Sequence, residues 1–243
     1  MDALERAKQI RFYHTLDLTP DYTTPGWFDM RRYVGEYGLP DSLAGKRVLD
    51  VGTWDGFWAF EMEKRGAEVV ALDLDDEREL DWPPRHRPKE YNVAGPRGQG
   101  FYAAKEVLGS KVERVVQNIY HAKPEELGQF DLVFCGSVLI HLRDQFLALE
   151  RICNLVKPGG MFITAEEHEP LLNRIPRMHL ARYRATRQKA VVYWIPARKT
   201  WKQMIFDAGF DRVEEIGTFA MEVGEGEKKF TVPHVVHHGF RSA

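Results

Sequence analysis

The chain reads as an α/β protein: a mostly parallel, seven-stranded sheet with helices on both faces, ending in an antiparallel hairpin. Three observations carry that reading. From Lys46 onward, short apolar runs alternate with segments of helical spacing, the pattern of βαβ units. Runs such as "LVFC" at 132–135 have no polar face, which suits parallel strands covered on both sides. The final stretch changes to two long strand-like segments around "GEGEKK", a turn-forming sequence.

The elements follow in order. "KRVLDVG" is a buried strand closed by Gly52, and "FWAFEMEKRG" a helix stopping at Gly66. "AEVVALDLD" is the second strand. A Pro/Gly-rich insertion, Asp81 to Gly100, separates it from the helix "QGFYAAKEVLGS". "KVERVVQNIY" and "FDLVFCGSVL" are the third and fourth strands. The helix "RDQFLALERICNLVKPGG" is closed by Pro158, Gly159 and Gly160, before the fifth strand "MFITAEE". Residues 168–199 form an insertion rich in Arg, Pro and aromatics, too long for a simple loop and expected to shape a site. "TWKQMIFDAGF" is an amphipathic helix, and "DRVEEIGTFAMEV" and "KFTVPHVVHHGFR" form the hairpin. Residues 1–45 are expected to be a helical preface or lid, with 46–243 as the main domain.

Composition narrows the function. The 243 residues are 44% hydrophobic and 29% charged, as in a soluble globular protein. The formal net charge of −2 gives no broad basic field for nucleic acid. Cys135 and Cys153 sit in apolar runs and are expected to be buried thiols. No segment is apolar enough to span a membrane, and a cytoplasmic location is expected.

The first turn, "DVGTWDG" at 50–56, decides the ligand class. A dinucleotide fingerprint would place its second and third glycines at 54 and 57, where Trp54 and Phe57 stand. The pyrophosphate then lacks its close approach to the backbone, and Asp50 opposes its charge. A cationic ligand suits the same residues. S-adenosylmethionine carries a sulfonium and an ammonium for an acid to attract, and a carboxylate for the amide groups of a helix N-terminus. Its ribose needs an acceptor after the second strand, where Asp73 stands.

"VLDVGTWDGFWAF", "VVALDLD", "FDLVFCGSVLIHL" and "LVKPGGMFI", in that order, resemble the class I S-adenosylmethionine-dependent methyltransferases, with their Rossmann-like fold. The resemblance covers roughly Lys46 to Phe210. The family's first turn is acid-x-Gly-x-Gly-x-Gly; Asp50, Gly52 and Gly56 match it and Trp54 departs. "YHTLDL…TTPGWFD" and "GSVLIHLRDQFLALERI" look closest to the family that includes the tRNA wobble-uridine carboxymethyltransferase, whose longer N-terminal portion is not matched here. The resemblance implies S-adenosyl-L-methionine as cofactor. It also implies a cradle of Asp50, Gly52, Thr53, Trp54, Gly56, Asp73, Leu74, Asn118, Ile119, Gly136 and Ser137, with Asn118 at the adenine exocyclic amine and Ile119 on the ring face.

Other residues are candidates by place. His141, past the fourth strand, can act as a general base. Glu166 and His168, ending the fifth strand, can orient an acceptor. Tyr13, His14, Trp27, Tyr193 and Trp194 are candidates for substrate binding, with Phe28 and Tyr183 as further rings of a lid. His237 and His238 alternate along a strand and face opposite sides, so no metal site is expected. Arg174, Arg177, Arg182, Arg184 and Arg187 make the insertion basic. Three readings stay open: a methyltransferase acting on oxygen or nitrogen of a small molecule, a tRNA alkyltransferase using a modified cofactor, and a non-catalytic protein of the same fold.

Overall fold

The computed structural model describes residues 2–89, 97–184, 191–224 and 229–243. In chain order it begins with α1 (Ala3–Ala7), the ribbon β1 (Asp17–Thr19) and β2 (Tyr22–Thr23), and a 3-10 helix at Arg31–Tyr37. The core follows: β3 (Arg47–Val51), α2 (Phe57–Lys64), β4 (Glu68–Asp73), α3 (Gln99–Leu108), β5 (Glu113–Val116), α4 (Pro124–Leu127), β6 (Phe130–Gly136), α5 (Gln145–Leu155) and β7 (Val156–Glu167). A second ribbon, β8 (Ala181–Tyr183) with β9 (Trp194–Pro196), precedes α6 (Arg198–Asp207) and the long strands β10 (Arg212–Val223) and β11 (Phe230–Phe240).

The main sheet has seven strands in the order β10-β11-β7-β6-β3-β4-β5. β11 runs antiparallel to both its neighbours, and β7, β6, β3, β4 and β5 are mutually parallel. The preface, α2 and α3 cover one face, burying Tyr37, Trp58, Phe60 and Phe101. On the other, α5 and α6 bury Ile152, Trp201 and Ile205. Cys135 and Cys153 are buried and free. The chain runs outward from β3 through β4 to β5, then crosses back to place β6 on β3's other side. The loops after β3 and β6 therefore diverge, and a crevice opens between them.

Three expectations change. The preface is helical only at its start and end; β-branched residues and prolines in "YHTLDLTPDYTTPGWFD" favour the ribbon instead. "KPGG" does not close a helix. α5 stops at Leu155 and β7 starts at once, with pairing that jumps from Phe130↔Val156 to Leu132↔Met161. Gly159, at φ +75°, makes that wide bulge possible. The third strand is only Glu113–Val116, so Gln117 to Tyr120 leave the sheet and face the crevice side. Arg187 and most of the "GEGEKK" turn lie outside the described residues.

Candidate cofactor and acceptor site

The turn after β3 is built to be tight. Gly52 has φ +76°, and a Cβ there would stand 2.4 Å from Val138 Cγ2 in the loop after β6. Gly56, at φ +92°, opens α2, and a Cβ there would meet the Phe60 ring at 2.5 Å. Trp54, where the resemblance asks for glycine, takes the left-handed conformation at φ +48°, which costs a non-glycine residue about 1–2 kcal/mol. Its contacts offset that cost. The indole stacks on Tyr13 with centroids 4.1 Å apart, and the Arg97 guanidinium lies 3.7 Å from its centroid on an electron-rich face. Its backbone N–H donates to Asp73 Oδ2 at 2.7 Å, while Asp73 Oδ1 accepts from Leu74 N at 2.7 Å.

Asp50 is 1% exposed, and its Oδ2 has no hydrogen-bond partner among the described residues. Burial pushes its carboxyl up to about 7, against the Thr53 hydroxyl, which pulls it down. Asn118 Oδ1 accepts from Tyr120 N at 3.0 Å. Asn118 itself borders the cavity. Ile119 is buried beside it. Asp81 was not anticipated and ties the rim together. It accepts from Tyr120 Oη at 2.8 Å and Arg143 N at 2.7 Å, and its carbonyl accepts from the Tyr193 hydroxyl.

β6 delivers the other wall. Ser137 has φ +55° and donates its hydroxyl to His234 Nε2 at 3.0 Å; His234 Nδ1 in turn donates to the Val232 carbonyl at 3.0 Å. His141 Nδ1 donates to the Val191 carbonyl. A carbonyl only accepts, so Nδ1 carries the proton and Nε2 keeps its lone pair. Burial holds this imidazole below its usual range.

These groups share one cavity of about 380 Å³. Asp50, Gly52, Trp54, Asp73, Leu74, Asn118 and Ile119 line one part; Gly136, Ser137 and His141 line its other wall. Tyr13, His14 and Phe28 of the preface roof it, and Met30, Tyr37, Trp58, Phe134 and Met221 make an apolar end. The preface is held by Asp55, whose Oδ2 accepts from Tyr13 N at 2.5 Å and His14 N at 3.0 Å. Arg97 and Gln117 also line it. No local pattern marked these packing partners, because they come from distant segments.

Other candidates stand off the wall. Thr53 and Gly56 are built into the turn behind it. Glu166 is 1% exposed and accepts from Val138 N and Leu139 N at 3.1 Å and Ile140 N at 3.4 Å, so it holds the loop that presents His141 rather than facing an acceptor. His168 Nδ1 accepts from Asn173 Nδ2 at 3.1 Å, away from the cavity. Trp27 is 39% exposed under Arg11. Trp194 is 41% exposed against Tyr183. Tyr193 is buried but backs the Val191 wall, its N–H donating to the Ile140 carbonyl at 2.9 Å. Arg182 and Arg184 face Glu169 and Glu167. His238 Nε2 donates to the Tyr37 carbonyl at 2.9 Å, while His237 faces Glu215 at 3.9 Å.

The chain is similar to several known proteins. The ubiquinone biosynthesis O-methyltransferase of Acinetobacter baylyi is 32% identical over 139 residues, 57% of this chain and 48% of that protein. That of Bordetella avium is 32% identical over 142 residues, 58% and 49% respectively. The chain thus spans about half the length of these relatives. The N-terminal domain of EvdMO1, solved with SAH bound, superposes with a TM-score of 0.61 at 16% identity, covering 99% of this chain and 98% of that one. The Burkholderia thailandensis 1,6-didemethyltoxoflavin-N1-methyltransferase superposes with a TM-score of 0.51 at 15% identity, covering 81% and 72%. At such identities the superpositions establish the fold. The family described as "Methyltransferase domain" matches residues 29–215, a span that holds the turn after β3, the acid ending β4 and the loop after β6, and the chain belongs to that family.

Proposed function

We propose that the chain is an S-adenosylmethionine-dependent methyltransferase that acts on an oxygen or nitrogen of a small molecule. One observation carries the reading: a single cavity joins the acid-and-glycine turn of β3 and the acid of β4 to an apolar, aromatic end, with His141 on its wall. The residues fit the cofactor. Asp50 Oδ2 is buried and unpartnered among the described residues, a carboxylate suited to an ammonium group. Gly52 brings backbone close at a point where any side chain would clash. Asp73 keeps lone pairs for ribose hydroxyls beyond its two amide donors. Trp54 forms a wall and leaves the cavity open, which disfavours a non-catalytic reading.

When bound, S-adenosylmethionine supplies a methyl group activated by its sulfonium. His141 Nε2 takes the proton of the acceptor hydroxyl or amine as it attacks, and Ser137, fixed by His234, borders the same space. The preface and Trp54 roof the site and exclude water, which aids alignment and strengthens its electrostatics. A tRNA acceptor has less support. The insertion arginines Arg182 and Arg184 face acids, and the cavity wall carries Asp50, Asp73, Glu77 and Asp81.

Calorimetry with S-adenosylhomocysteine tests the cofactor site. The wild type should bind it, and Asp73→Ala should weaken binding at least about tenfold, because a buried acceptor to ribose contributes about 1.5–3 kcal/mol. Unchanged affinity in the variant would remove Asp73 from the site.

A further inference from the structure

We propose that His234 is a positioning residue for the cofactor: it holds the Ser137 hydroxyl as a hydrogen-bond acceptor for the amino group of the S-adenosylmethionine amino-acid arm. This rests on the methyltransfer reading above and adds to its site a residue that stands behind the cavity wall. His234, on β11, is 2% exposed, and Ser137 borders the cavity. Ser137 Oγ and His234 Nε2 are 3.0 Å apart. The direction of that bond is set from the far side of the ring. Nδ1 donates to the Val232 carbonyl at 3.0 Å, and burial holds the imidazole down to about 4. A neutral ring with its proton on Nδ1 has only a lone pair at Nε2. The serine therefore donates, and its oxygen keeps lone pairs and no proton for the cavity.

Placement sets the ligand group. β3 and β6 are parallel neighbours, with Asp50 opposite Phe134 and Val51 opposite Cys135. Ser137 thus follows β6 beside the glycine turn that follows β3, and a Cβ on Gly52 would stand 2.4 Å from its neighbour Val138. Asp50 and His234 share the face of the sheet that the preface covers. Phe134, opposite Asp50, packs on Tyr37 at 5.7 Å between centroids; His234 stacks on Phe219, which packs on Tyr37 at 5.5 Å. Asp50 Oδ2, unpartnered among the described residues, brings a carboxylate to this place, and Ser137 brings an oxygen whose proton is turned away. The pair suits a positive group with several N–H donors. The sulfonium has the charge and no N–H; the α-amino group of the amino-acid arm, an ammonium at neutral pH, has both. Ser137 also sits at φ +55°, which glycine adopts freely and a residue with a Cβ does not. Its backbone is held separately, N donating to the Ala165 carbonyl at 2.8 Å. A hydroxyl kept at a strained position points to use of that hydroxyl.

Two ligands test this by calorimetry: S-adenosylhomocysteine, and 5′-methylthioadenosine, which keeps the nucleoside and the sulfur and lacks the amino-acid arm. The wild type should bind the first at least about tenfold tighter. Ser137→Gly relieves the backbone and removes the hydroxyl. It should keep its thermal midpoint, weaken S-adenosylhomocysteine about five- to tenfold, and change 5′-methylthioadenosine less than about twofold. His234→Leu should shift the two ligands in the same unequal way. His234→Gln, whose side-chain carbonyl accepts the hydroxyl proton, should stay within about threefold of the wild type. If His234→Leu does not fold, His234→Phe, which keeps the stack on Phe219, replaces it. The proposal is overturned if Ser137→Gly binds S-adenosylhomocysteine like the wild type, or loses both ligands in parallel, as a merely structural role would require. It is equally overturned if the apolar variant at His234 binds like the wild type, if His234→Gln is as weak as Ser137→Gly, or if the wild type binds the two ligands alike. Failure of the wild type to bind S-adenosylhomocysteine is a separate result; it would remove the methyltransfer reading, and this proposal with it.

Discussion

His141, the proposed base, is oriented by a single carbonyl. Because Val191 fixes the proton on Nδ1, Nε2 is free to accept, and burial keeps the ring neutral below its ordinary range. At saturating cofactor, kcat should therefore stay flat through neutral pH and fall only on an acid limb below pH about 6.5. His141→Ala should lower kcat by about 10²–10⁴ with near-wild-type cofactor affinity, and His141→Gln should recover little, since an amide cannot take the proton. Full activity in the alanine variant would show that the ring only braces the loop. At this scale the sequence was most legible where backbone geometry restricts residue type. Gly52 and Gly56 sit at positive φ, Asp50 stands one residue before the end of β3, and Asp73 ends β4. Trp54 was legible as a departure, but not its contacts with Tyr13 and Arg97, because those partners lie in other segments.

β7 and the loop after β6 are joined by one buried acid. Glu166 accepts from three successive amides of the loop, yet burial pushes its carboxyl up to about 8. The folded chain thus holds this proton more tightly than the unfolded one, whose value is about 4.3. The associated stability is full below that unfolded value and is lost as pH rises through the folded one. Glu166→Gln removes the titration. Its thermal midpoint relative to the wild type should rise between pH 5 and pH 8.5, a difference of several degrees by differential scanning calorimetry. A constant offset across that range would show that Glu166 is already ionised when folded. Element type and order were legible from apolar runs; boundaries were not. "KPGG" carries both a helix stop and a bulge in its residues, and only pairing with β6 decides between them.

Across the whole molecule, charge and cavity point the same way. The formal net charge is −2, and acids ring the site. Acceptor affinity should change by less than about threefold between about 50 and 200 mM salt, whereas a tRNA with several phosphate contacts would lose orders of magnitude. A steep log–log slope in a binding assay would restore the nucleic-acid reading. The mixed structure of the preface, helix at both ends and a ribbon between, has a global cause. Its segments are short and tied by long-range bonds: Tyr13 and His14 to Asp55, Tyr33 Oη to Glu222 N at 2.9 Å, and Tyr37 O to His238. Periodicity within one segment cannot show contacts of that separation.

The position of β11 has a consequence for how the chain comes into being. β10 joins the sheet only through β11, which lies between it and β7. A ribosome that has just finished Val223 has made a twelve-residue strand whose sheet partner is still missing. Until β11 emerges and inserts, β7 is an open edge and β10 a free one, the state in which strands pair with the wrong neighbour. His234 and His238 arrive on that same late strand, so Ser137 and Tyr37 gain their braces in the same event that seals the sheet. Insertion of β11 therefore seals the sheet and braces the loop after β6 and the preface together.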